Sequence, residues 1–147
     1  MDAKRYTFDA ELELKDAGLV GSSAAATVDG AAKVLDLGSG FVEGDIVIDV
    51  TALEIANNDE IYDIIAQLSL DNDFGTDTNI RERCQLNLSA AAVKRSDANA
   101  DDAVGRYNLP FNNELKGTKY RYARLYTAVA GALIANGINY SAFLAKK

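Results

Sequence analysis

Residues 120–126 place Tyr120, Tyr122, Arg124 and Tyr126 at alternating positions, with Lys119 and Arg121 on the opposite parity. Neighbouring side chains of an extended chain point to opposite faces, so this spacing gathers tyrosines and one guanidinium on a single side. Such a set does recognition chemistry. Its rings bury apolar area while their hydroxyls hydrogen-bond, and its planar cation stacks on a ring or forks onto a carboxylate. The same residues also fit a tyrosine-rich strand packed on its own sandwich, with Arg124 paired to a carboxylate. Together with Lys116 they form the most basic stretch of an acidic chain.

Asp71, Asn72, Asp73 and Asp77 are a second group, because calcium takes carboxylate and amide oxygens. The glycine and distant glutamate of an EF-hand loop are missing, so a turn held by Asp and Asn side chains is the better reading. Cation binding by the Asp71, Asp73 and Asp77 turn is left open. Asp97, Asp101 and Asp102 give a weaker signal, since exposed charge runs are usually just solvated.

Covalent and metal chemistry lack their usual carriers. Histidine is absent and Cys84 is the single cysteine, which removes the commonest general base and most ligands for zinc or iron–sulfur clusters. No glycine-rich phosphate-binding motif is present. The 22 acidic residues always offer carboxylate pairs, so composition alone does not exclude paired-carboxylate catalysis. The resulting expectation is a non-enzyme with no cofactor and no metal. A net charge of −7 argues against a nucleic-acid partner, which calls for clustered Lys and Arg. No apolar run approaches the roughly 20 residues of a membrane helix. The start Met-Asp-Ala-Lys-Arg-Tyr lacks the apolar core of a secretory signal. With one cysteine and no internal disulfide, folding in the cytoplasm is the simpler expectation.

These groups need a β scaffold. The chain of 147 residues has the size of one domain, and its period-two runs predict strands at 6–14, 31–37, 45–55, 61–70, 84–89, 104–109, 118–129 and 138–144. In the first, Phe8, Ala10, Leu12 and Leu14 share a face; in the fourth, Tyr62, Ile64, Ala66, Leu68 and Leu70 do. Residues 71–81 read as a turn-rich connection anchored by Phe74. Residues 90–103 read as an exposed loop with at most a turn or two of helix. Pro110, the only proline, stands where a strand would end. The pattern predicts an all-β, antiparallel sandwich of about eight strands, jelly-roll-like, as one domain over residues 1–147.

At Ala32-Lys-Val-Leu-Asp-Leu-Gly38, Leu68-Ser-Leu-Asp-Asn-Asp-Phe74, Leu109-Pro-Phe111 and Tyr120–Gly131, the chain resembles the cement (decoration) proteins of tailed bacteriophages, in which similar blocks follow in the same order. It departs from them in the Asp/Asn/Ala-rich stretch at 90–103 and the Lys116-Gly-Thr-Lys119 turn. The resemblance implies a jelly-roll structural protein of the virion that sits on the outside of a mature icosahedral capsid and clamps neighbouring major capsid proteins. It implies a homo-oligomer, dimer or trimer, assembled in the host cytoplasm, and no active site. On that reading Tyr122, Arg124, Tyr126, Tyr140 and Phe143 are candidates for protein interfaces. Lys4, Arg5, Tyr6 and the loops near 21–30 and 110–117 form a capsid-facing rim. The competing expectations are a jelly-roll carbohydrate-binding module, which the lack of tryptophan disfavours, and another virion component such as a tail- or fibre-associated sandwich.

Overall fold

A computed structural model describes residues 6–74, 80–90, 93, 102–132 and 137–147. The strands, in chain order, are β1 (Glu13–Lys15), β2 (Leu19–Val20), β3 (Ala24–Ala25), β4 (Thr27–Val28), β5 (Ala31–Ala32), β6 (Leu35–Asp36) and β7 (Glu43–Leu53). They continue with β8 (Ile61–Ser69), β9 (Arg81–Ser89), β10 (Gly105–Asn112), β11 (Glu114–Leu115), β12 (Thr118–Lys119), β13 (Tyr122–Ala130) and β14 (Ile138–Lys146). The β-branched and alternating runs of the sequence become the long central strands, because side chains on a pleated backbone pack on both neighbours.

One antiparallel sheet has the order β1–β14–β7–β10, with β2 also on β14. The other has the order β3–β13–β8–β9, with β6 also on β13. The two pack face to face as an all-β sandwich. Between them lie Ile46, Ile48 and Val50 of β7, and Ile138, Tyr140, Ala142 and Leu144 of β14. From the second sheet come Tyr62, Ile64, Ala66 and Leu68 of β8, with Ala123 and Leu125 of β13. Burying each of the larger aliphatic side chains contributes about 1.5–3 kcal/mol relative to exposure. β7 and β14 approach so closely that a Cβ on Gly44 would come within 2.2 Å of Ala145 O, which accounts for glycine at the start of a core strand.

Several sequence expectations change. The run 6–14 is not one strand: Ala10–Leu12 form a 3-10 turn, and Asp9 caps it by accepting from Glu11 N at 3.0 Å. A short polar side chain that bonds its own backbone competes with a sheet ladder. Only Leu14 of the predicted face is fully buried, whereas Phe8 is 56% exposed. The 31–37 strand is split because its two halves take different partners: β5 pairs with β4, a ladder that Lys33 N extends by donating to Ala26 O, whereas β6 pairs with β13. Leu70 lies past the end of β8 and is exposed. Pro110 lies inside β10, on the outer strand of its sheet, where a missing N–H is tolerated. Tyr120 does not share a face with Tyr122, because Arg121 bends the chain and Tyr120 turns into the core. Most of the 90–103 stretch lies outside the described residues.

Candidate functional site

Strand β13 alternates as its sequence demands. Ala123, Leu125 and Thr127 face the core, and Tyr122, Arg124 and Tyr126 stand half-buried on the outer face of the second sheet. Across the β13–β8 ladder, Tyr122 is opposite Ser69, Arg124 opposite Gln67 and Tyr126 opposite Ile65. Arg124 Nε donates to Gln67 Oε1 at 2.9 Å, and its guanidinium carbon lies 4.4 Å from the centre of the Phe74 ring and 5.8 Å from that of Tyr126. Arg124 is thus held over the Phe74 ring, near that of Tyr126, and bonded to an amide rather than to a carboxylate. Burial pulls its pKa below the ordinary guanidinium value, so the charge is partly stripped of water before any partner arrives.

Beside it, Arg121 forks onto Asp36 with both bonds at 2.8 Å and lies 5.4 Å from the Tyr122 ring centre. That fork, with help from Gly38 N–H, holds the Asp36 carboxyl down at about 2. The stripe therefore combines broad rings, one guanidinium neutralised by Asp36 and one bonded to the amide of Gln67. It offers an apolar plane with a fixed cation for a carboxylate, a carbonyl or another ring.

Phe143 occupies the opposite outer surface, on the first sheet. It is packed by its own chain: the Phe8 ring meets it edge to face at 5.4 Å and 84°. Tyr6 lies near, its hydroxyl donating to Asp45 Oδ2 at 3.3 Å, and Arg106 forks onto Asp49 at 2.6 and 2.9 Å. An open groove of about 570 Å³ runs past Tyr6, Asp45 and Lys146. Tyr140 belongs to neither surface. It is fully buried between the sheets, its hydroxyl 2.6 Å from Thr127 Oγ1, so it is corrected from an interface residue to a core residue. Lys4 and Arg5 lie outside the described residues.

The predicted rim is divided. Asp45, which Tyr6 touches, pairs with Pro110, so Tyr6 and the 110–117 segment share one end of the sandwich. That segment leads into the β11–β12 hairpin, whose turn residues Lys116 and Gly117 have φ of 51° and 82°, as a tight hairpin turn requires. The β4–β5 hairpin lies instead at the side edge, where Asp16 N donates to Thr27 O. Asp71 Oδ1 accepts from Asp73 N at 3.1 Å, so the Asp71 side chain holds this turn, and Asp77 lies outside the described residues. Among the described residues no group of three or more Cys, Asp or Glu side chains is placed to hold a metal ion.

Sequence reasoning missed Gln67, the partner of Arg124, although its parity on β8 opposite to Ile64, Ala66 and Leu68 already put it on the outer face. It also missed Asn113, which is fully buried. Asn113 Oδ1 accepts from Val42 N at 2.8 Å, and Nδ2 donates to Gly40 O and Tyr120 O at 2.9 Å each, tying two loops to the start of β13. No protein-family model matches the chain, and no curated protein matches it in sequence. Among the described residues no helix is long and apolar enough to cross a membrane.

Proposed function

We propose that this chain is a structural virion protein, a cement protein that attaches to the outside of a mature icosahedral phage capsid and stabilises it by bridging major capsid proteins. The observation that carries the reading is the outer face of the second sheet, where Arg124 is fixed by Gln67 and Phe74 beside Tyr126, and Tyr122 lies under Arg121, itself forked onto Asp36. Rigid aromatics and a stacked arginine suit a protein partner, because little side-chain freedom is left to lose on docking. The strand order supports the same reading. With main paths β1–β14–β7–β10 and β3–β13–β8–β9, and with every step between successive long strands crossing between the sheets except the paired β8 and β9, it is compatible with a double-sheet jelly roll. The sequence blocks that resemble cement proteins coincide with β6, the end of β8, β10 and β13.

A protein that binds only the expanded lattice stabilises that lattice by mass action, so each contact can be weak. The test is co-sedimentation of the purified chain with expanded and with unexpanded shells of the major capsid protein encoded in the same genome. Selective retention on expanded shells is the expected result. Retention on neither, or equally on both, overturns the proposal.

A further inference from the structure

Strand β9 is the last strand of the second sheet, paired with β8 on one side only among the described residues. Its backbone orientation follows from the bonds at its far end. Ala90 N donates to Glu60 O at 3.0 Å, toward the β8 side. The groups of Ser89 therefore point the other way, where Asp102 meets them: its carboxylate accepts from Ser89 N at 2.8 Å, and its N–H donates to Ser89 O at 3.2 Å. By the same alternation the N–H and C=O groups of Asn87 and Gln85 point outward, off the edge of the sheet. No strand among the described residues pairs with them.

Natural sheets guard such edges with charge, proline or a cover. The edge of the first sheet carries Pro110. On β9 the charges are confined to Arg81, Glu82 and Arg83, and the stretch Cys84–Ser89 has neither charge nor proline.

We infer that β9 pairs antiparallel with β9 of a second copy about a two-fold axis at Leu86, joining two second sheets into one. Outward-pointing groups must meet outward-pointing groups, so Gln85 faces Asn87 of the second copy and the reverse, each pair exchanging both N–H···O bonds. Charge and symmetry select the occupant. With a net charge of −7 on each copy, two molecules approach best along a stretch that carries no charge of its own, as Cys84–Ser89 does, with Asp63 on the inner neighbour β8 already bonded by Asn87 Nδ2 at 2.6 Å. Length then limits the assembly. Asp102 stands across Ser89, and the ladder is irregular between Cys84 and Glu82, so pairing stops at both ends and closes as a dimer.

This deepens the cement reading and rests on it for its purpose. The axis is perpendicular to the joined sheet, so both Tyr122–Arg124–Tyr126 stripes face the same way. Five strand spacings of about 4.8 Å separate them, about 24 Å in all. A dimer then presents two docking stripes to a repeating lattice and gains avidity without any new contact.

Sedimentation equilibrium of the full chain tests the pairing, with a dimer expected. Gln85→Lys with Asn87→Lys sets like charges across each pair and is expected to weaken dimerisation roughly tenfold or more, whereas Gln85→Lys with Asn87→Glu sets opposite charges and keeps the dimer. Both side chains are exposed, but Asn87 Nδ2 donates to Asp63 Oδ1 at 2.6 Å, a contact that Asn87→Lys keeps as an ion pair and Asn87→Glu loses, so urea unfolding of each variant accompanies the sedimentation to separate lost pairing from lost fold. Leu86→Cys in a Cys84→Ser background is expected to give a disulfide-linked dimer on mild oxidation, since residues on the axis approach to about 4.5 Å between Cα atoms. A wild-type monomer at millimolar concentration, or a dimer indifferent to paired lysines, overturns the inference. A monomer that still binds expanded shells leaves the cement reading intact, and a dimer that binds no shell leaves only the pairing.

Discussion

Lys15 Nζ lies 4.6 Å from the centre of the Tyr140 ring and donates to Tyr140 O at 2.9 Å, from a side chain that is 4% exposed. Its other bonds go to Asp16 O at 2.9 Å and Gly18 O at 3.0 Å, so every ammonium N–H has a carbonyl. The charge joins β1 and the turn after it to β14, and it survives burial because carbonyl oxygens and a ring face replace water. Burial still holds its pKa below the ordinary lysine value.

Lys15→Met keeps most of the packed stem and removes the donors. Three carbonyls then lose their partner, and the expected loss is about 2–4 kcal/mol in urea unfolding at neutral pH. A variant as stable as the wild type would mean that water replaces the ammonium without cost. The sign of the pH effect follows from the lowered pKa. The unfolded chain binds this proton more tightly, so the group's contribution to stability rises as pH climbs from the folded value to the ordinary value of about 10.4.

Tyrosines act the other way in alkali. Burial pushes the Tyr62 phenol up to about 12, helped by Glu54 and Glu60, and burial alone pushes Tyr140 up to about 12 against the bond to Thr127. A raised folded pKa means stability that is whole below the unfolded value of about 10 and is lost as pH rises through the folded value. The expected result is a urea midpoint that falls between about pH 10 and about pH 12, with Lys15 offsetting part of the early loss. Tyr140→Phe is expected to cost about 1 kcal/mol at neutral pH, through the bond to Thr127, and to make the alkaline fall shallower. An unchanged alkaline slope in that variant would show that Tyr140 does not titrate with unfolding.

The long strands were legible because each keeps period two over many residues: β8 buries Tyr62, Ile64, Ala66 and Leu68 in the predicted order, and β13 turns Tyr122, Arg124 and Tyr126 outward together. The short elements were not. Asp9 diverts its neighbours into a turn through a local bond that competes with the strand pattern, residues 31–36 divide between a neighbouring hairpin strand and the distant β13, and the bend at Arg121 sends Tyr120 inside. Tyr140 shows the same limit at the candidate site. An aromatic on an alternating strand faces core or partner equally well until the sheet order is known.

Asn113 is a sharper case of a single residue carrying long-range order. Asn113→Ala leaves one buried N–H and two carbonyls without partners, and the expected loss is about 2–4 kcal/mol in urea unfolding. Asn113→Asp keeps the shape and the acceptor for Val42 N but turns acceptors toward Gly40 O and Tyr120 O. It is therefore expected to be no more stable than the alanine variant at neutral pH and to recover as acid protonates the new carboxyl. An aspartate variant of wild-type stability at neutral pH would show that the amide donors do not hold the loops.

Arg124 separates general charge from the specific stack. Arg124→Lys keeps a cation of similar reach, but an ammonium has no planar face to set over the Phe74 ring while bonding Gln67, and it has no fork for a carboxylate. The residue is half-buried on an outer face, so the change is expected to alter unfolding free energy by less than about 1 kcal/mol. Retention on expanded shells is expected to fall roughly tenfold or more, as for the loss of a stacked arginine at the centre of an interface. Tyr126→Phe keeps the ring and is expected to change retention much less than Tyr126→Ala. If Arg124→Lys binds shells like the wild type while lowering the net negative charge by Gln85→Lys strengthens binding, long-range attraction carries attachment and the stripe on β13 does not.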